Sequence, residues 1–161
     1  MSKAIRVAAI GLAASLVFAA TDSLRPLNVK TGLWQITETV TWTEMPQQYA
    51  AMMKNVRPLT YKSCVKPKNL NTNPWAEGSG EKCNWTAMKS NGTDMDVQGT
   101  SCRFGDQNPM LADVHGTIHV VDSENGTGTF AITMTGNGQT FKGHATYTGK
   151  WMSSTCPSNM N

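Results

Sequence analysis

Residues able to do chemistry are few in this chain, and they are scattered. It holds three histidines, His115, His119 and His144, each in a run that alternates polar and apolar residues. A register that pairs His119 with Ala131, and Ala131 with His144, sets two of them in one row across three strands. They would then stand two strand spacings apart, about 9–10 Å between backbones, with only a small side chain between. His119 and His144 are therefore the candidate metal ligands. Zinc takes four ligands, and no carboxylate accompanies the pair. Exposed histidines on a threonine-rich face are the plainer reading.

Ten methionines are many for 161 residues. Thioethers suit Cu(I), but no M-x-x-M cluster occurs, and methionine fills irregular apolar gaps well. Among carboxylates, Glu38 sits between Trp34, Ile36, Val40 and Trp42 at period two. That placement predicts partial burial and a raised pKa, with no partner group in the local pattern. Asp94 and Asp96 share a face beside a hairpin tip. No G-x-S-x-G, H-E-x-x-H or phosphate-cradling glycine loop occurs. The sequence predicts a protein that is not an enzyme and carries no cofactor. Trp34, Trp42, Phe130, Phe141 and Tyr147 project from one side of their strands and are the candidate ligand-lining residues. The alternative is that these rings simply fill a core.

The elements that must position these residues are strands. Residues 31–43, TGLWQITETVTWT, alternate apolar and polar with many β-branched residues, the pattern of a half-buried strand. Pro46 opens a different spacing, in which Tyr49, Met52, Met53 and Val56 make the stripe of a short helix near residues 46–56. Pro58 ends it. A second strand is expected at 59–66. Residues 67–81 read as an irregular loop anchored by Trp75. Three Asn-Gly dipeptides follow, at 91–92, 125–126 and 137–138. Asn-Gly supplies the positive φ angles of tight hairpins. Strands are expected at roughly 83–90, 93–104, 112–122, 127–136 and 139–151. The fold class is all-β: an antiparallel meander forming a curved sheet or small barrel.

In the last two strands Phe130, Ile132, Met134, Phe141, Ala145, Tyr147 and Trp151 face inward. An Asn137-Gly138 turn then pairs Ala131 with His144. A three-residue turn over Glu124-Asn125-Gly126 pairs His119 with Ala131.

Residues 1–20, MSKAIRVAAIGLAASLVFAA, have basic Lys3 and Arg6, an apolar run and small residues before the end. This predicts a signal peptide over 1–19, cut after Ala19. The apolar run is short of the ~20 residues a membrane span needs. The chain then divides into a linker at 20–30, one β domain at 31–156 and a tail at 157–161. The formal charge of +3 loses Lys3 and Arg6 on cleavage. The mature chain holds 12 basic and 11 acidic residues, a net of +1. Nucleic acid is a poor partner for so neutral a chain.

The four cysteines are Cys64, Cys83, Cys102 and Cys156. An even count in an exported chain reads as two disulfides, and three connectivities are open. The absence of C-x-x-C disfavours zinc ribbons and thioredoxin-type chemistry. A turn at Asn91-Gly92 lies midway between Cys83 and Cys102 and would bring them to one face. This favours Cys83–Cys102, leaving Cys64–Cys156 to tie an early strand to the C-terminus.

The order of these features resembles a bacterial family catalogued only as domain of unknown function 3617. Gly32-Leu33-Trp34-Gln35-Ile36-Thr37 is similar to its opening GLWEIT strand. Met45-Pro46 to Met53, Thr60-Tyr61-Lys62-Ser63-Cys64, the Cys83-to-Cys102 hairpin, Thr148-Gly149-Lys150 and the near-terminal Cys156 continue the resemblance over about residues 28–156. Trp151 to Thr155 replaces the family's shorter Gly-Asp-Cys ending. The resemblance implies an exported, periplasmic protein and brings no activity and no functional residues. The expected role is binding of a small apolar ligand or an envelope component. The alternatives are a metal-binding envelope protein using the surface histidines and a structural or interaction module without a ligand.

Overall fold

A computed structural model describes residues 24–53, 57–76, 82–104 and 110–160. The signal peptide expected over 1–19 lies outside the described residues, as does Val56 of the helix stripe. Seven strands follow one another: β1 (Gly32–Glu44), β2 (Leu59–Val65), β3 (Lys82–Ser90), β4 (Asp94–Phe104), β5 (Met110–Asp122), β6 (Asn125–Gly136) and β7 (Gln139–Ser153). One helix, α1 (Gln47–Met53), joins β1 to β2. It begins just after Pro46, where the stripe placed it, and its described part is seven residues long.

The strands form one antiparallel sheet in the order β2-β1-β7-β6-β5-β4-β3. β3 to β7 are a meander, and β1 returns beside β7. The sheet is open, with β2 and β3 as its edges. Of the two expected forms, a curved sheet or a small barrel, the closed barrel is not the one found.

Alternation decides the two faces. β5, β6 and β7 alternate buried and exposed along most of their length. One face carries threonines in register: Thr37 opposite Thr148, Thr148 opposite Thr127, and Thr39, Thr146, Thr129 and Thr117 in the next row. Threonine suits an exposed strand position, being β-branched and able to hydrogen-bond its cross-strand neighbour. The other face holds the core of Trp34, Ile36, Met95, Val97, Ile118, Phe130, Ile132, Phe141 and others.

Inward glycines make room for that core. A Cβ on Gly116 or Gly128 would stand 2.5 or 2.8 Å from the Phe130 ring. One on Gly126 or Gly149 would stand 2.8 or 3.0 Å from Trp75. Trp42 covers Gly143 and Trp85 covers Gly99 in the same way. Aromatic rings lying on strand glycines restore the packing the missing side chains would have supplied.

The turns fix the register. At Asn137-Gly138 both residues have positive φ, 50° and 73°, the geometry of a two-residue hairpin turn. Ala131 pairs with His144 as expected. The β5–β6 hairpin differs from expectation. Asp122 pairs with Asn125, so the turn is Ser123-Glu124, and Val121 is an extra residue in the strand. The Asp122 carboxylate accepts the backbone N–H groups of Glu124 and Asn125 at 2.7 and 2.8 Å. This side chain organises the turn, and Asn125-Gly126 opens β6 instead. The expected pairing of His119 with Ala131 is therefore corrected: His115 faces Ala131, and His119 faces Thr127.

Two further segments close the core. Backbone N–H groups of Leu27, Asn28 and Lys30 donate to the carbonyls of Leu70, Gly92 and Ser123. Leu27 and Val29, within the stretch expected as a linker, are buried in the core. In the loop after β2, Asn73 Oδ1 accepts the Trp75 N–H at 3.1 Å. Trp75 is 1% exposed, the anchor its composition predicted. Cys64 pairs with Cys156 and Cys83 with Cys102.

Candidate functional site

Among the described residues, the inner face carries one buried carboxyl, on β1. Period two puts Glu38 on the same side as Trp34 and Ile36, and it is 7% exposed. Its register neighbours are Leu59 on β2 and Tyr147 on β7. Burial pushes its pKa above the ordinary carboxylate range, because the charged form loses hydration. The Tyr147 hydroxyl donates to the carboxyl and partly offsets that rise.

The five candidate ligand-lining aromatics divide into three groups around this point. Trp42 meets Phe141 edge-on with ring centroids 6.2 Å apart. Phe130 meets Tyr147 at 5.0 Å. Trp34 instead packs with Trp75 at 6.2 Å, deep in the core. Trp34, Phe130 and Phe141 are buried, whereas Trp42 and Tyr147 are half-buried. Two rings outside the expected set join them. Tyr49 of α1 lies 5.4 Å from Phe141, and Trp85 of β3 lies 6.1 Å from Phe130. Tyr49 had a signal in the helix stripe. Trp85 had one in the alternation of β3, where Cys83, Trp85 and Ala87 are less exposed than their neighbours.

Among the described residues, two clefts open at the Lys82 end of β3. One, of about 400 Å³, is lined by Lys68, Asn73, Lys82, Cys83 and Trp85 among others. The second, of about 330 Å³, is lined by Lys82, Cys83, Asn84, Ser101 and Arg103. None of the five expected aromatics borders either cleft; the contact between them runs through Trp85 and Phe130.

The candidate metal pair is separated. His119 lies in the row of Thr127, and His144 in the row of Ala131, four residues further along β6. Four strand residues span about 13 Å, beyond one ion's reach. His119 Nδ1 is instead 2.7 Å from Asp94 Oδ1 on the exposed face. That hydrogen bond, with a second from Asn91, holds the Asp94 carboxyl below its ordinary range. Among the described residues no group of three His, Cys, Asp or Glu is placed to hold a metal ion.

This geometry defines an open antiparallel β-sheet domain with one aromatic inner face and two disulfides. Such bonds fit an oxidising environment outside the cytoplasm. Among the described residues no helix is long and apolar enough to cross a membrane. The chain belongs to the family described as protein of unknown function (DUF3617), whose model matches residues 29–156. No curated protein and no solved structure matches it significantly.

Proposed function

We propose that this protein is an exported, periplasmic binding domain that holds a small apolar ligand on its inner face and does no catalysis. The observation carrying this reading is the set of half-buried rings there. Trp42, Tyr49, Trp85 and Tyr147 are packed against the core yet keep part of their surface open. Binding sites for small molecules are mostly apolar, with few polar groups to orient the ligand. Glu38 and Tyr147 supply such a polar point among the rings. The register partners of Glu38 bring no second carboxyl beside it. Export is supported by the basic and apolar pattern of residues 1–19 and by the pairing of all four cysteines.

Native mass spectrometry of the protein released gently from the periplasm tests the reading, alongside titration with the neutral apolar dye N-phenylnaphthylamine. The expected result is a bound apolar mass, and dye fluorescence that Trp85→Ala weakens. A bare protein that also fails to bind the dye would overturn it.

A further inference from the structure

We propose that the cationic end of the β3–β4 hairpin binds the anionic head group of an amphiphile whose apolar part lies on the neighbouring rings. This rests on the reading above and adds the charge class of the ligand.

Lys82 and Arg103 are direct cross-strand partners. Like charges placed opposite each other repel and destabilise a sheet. Neither has an ion-pair partner among the described residues, whereas Lys30 is held by Glu124 and Lys142 by Glu44. An anion between Lys82 and Arg103 would convert this repulsion into two charge-assisted hydrogen bonds.

The backbone that carries the two cations is tied across the hairpin. Each adjoins a cysteine of the Cys83–Cys102 disulfide in sequence. The backbone is irregular here, with a register shift between Gly99 and Cys102 and a positive φ of 54° at Ser101. A covalent tie across the hairpin limits how far the pair can spread, which lowers the ordering cost of binding.

Lys82 borders both clefts, so a head group there has access to Arg103 on one side and to Lys68 and Trp85 on the other. No described residue lining either cleft is acidic. Trp85 leads inward, from the cleft to Phe130 and from Phe130 to Tyr147. Its indole N–H is buried with no acceptor among the described residues. Lys82 and Arg103, without ion-pair partners among the described residues, on one side, and apolar rings on the other, match a carboxylate or phosphate joined to a hydrocarbon.

The test uses the full-length mature protein and calorimetric titration with oleate, lysophosphatidylglycerol and monoolein below their micellar concentrations. The first two separate carboxylate from phosphate, and monoolein supplies the same type of tail without charge. The anionic probes should bind about tenfold or more tightly than monoolein, the worth of one charged hydrogen bond. Lys82→Ala with Arg103→Ala should remove that preference and leave monoolein unchanged, while Lys89→Ala on the same hairpin should alter neither. Added salt should weaken the anionic probes alone in the unaltered protein, a check that does not depend on the variant folding. Equal binding of charged and neutral probes would overturn the head-group site and leave the apolar site standing. Binding of no amphiphile would overturn both.

Discussion

Glu38 on β1 and Tyr147 on β7 face each other in register, and the tyrosine hydroxyl donates to a carboxyl buried among rings and aliphatic side chains. Burial raises the pKa of Glu38 above the unfolded value, so the folded state holds its proton more tightly. The stabilising contribution is fully present below the unfolded carboxylate range and is lost as pH rises through the folded pKa. Glu38→Gln keeps the shape and removes the titration. Its melting temperature should exceed that of the parent at neutral pH, and the difference should shrink toward pH 4. Thermal melts across that range check this. A parent whose stability rises between pH 5 and 7 relative to the variant would contradict it.

Tyr147 has the complementary effect. Tyr147→Phe removes the donor and leaves the carboxyl buried without it. The Glu38 pKa should rise further, and stability at neutral pH should fall by about 1–2 kcal/mol, the scale of a lost hydrogen bond to a buried polar group. Carboxyl-selective NMR titration reads the first effect and urea denaturation the second.

Trp75 packs where Gly126 and Gly149 leave no side chain. Trp75→Ala should cost about 3–5 kcal/mol, the range for emptying a buried aromatic site. Gly149→Ala pushes a methyl against the same ring and should cost about 1–3 kcal/mol by overpacking. In the double variant the ring is gone and the methyl has room. The two losses should therefore be markedly less than additive in denaturant melts.

Much of this arrangement was legible in the sequence because period-two alternation, threonine enrichment and Asn-Gly punctuation all describe strands. The register of β6 on β7 followed from Asn137-Gly138. The register of β5 on β6 did not, because Asn125-Gly126 carries the same dipeptide for another reason. Gly126 is there to lie beneath Trp75, and Asp122 makes the turn. That single shift also separates His119 from His144. Glu38 was legible as the odd residue on an apolar face. The pairing of Lys82 with Arg103 was not, since it depends on the register shift between Lys82 and Asn84. Leu27 and Val29 have no period of their own and join the core through backbone bonds to three separate loops and turns.

The separated histidines give a prediction of their own. His119→Ala and His144→Ala should change zinc affinity independently, with no cooperative loss in the double variant, because the two rows are too far apart to share an ion. Asp94→Asn removes the partner of His119 on an exposed surface and should change stability by less than about 1 kcal/mol. Asp94 has a depressed pKa, so what it contributes is present above the unfolded aspartate pKa and is lost as pH falls through the folded one. Zinc titration calorimetry and melts at pH 3 and 7 check both statements.

The two disulfides should differ in their effect on stability. Cys64–Cys156 spans 92 residues and Cys83–Cys102 spans 19. If each acts by restricting the unfolded chain, the longer loop contributes about 4–5 kcal/mol and the shorter about 3 kcal/mol. Cys64→Ser with Cys156→Ser should therefore lower the denaturation midpoint more than Cys83→Ser with Cys102→Ser. The functional ranking should be the reverse. The short loop holds Lys82 beside Arg103, whereas the long one ties the edge strand β2 to the C-terminal segment. Removing Cys83–Cys102 should weaken anionic probes more than monoolein in the fraction that remains folded. Removing Cys64–Cys156 should weaken both equally, through loss of folded protein. Denaturant melts and probe titrations on the two variants give the comparison, and a shared ranking in both measurements would contradict this division of roles.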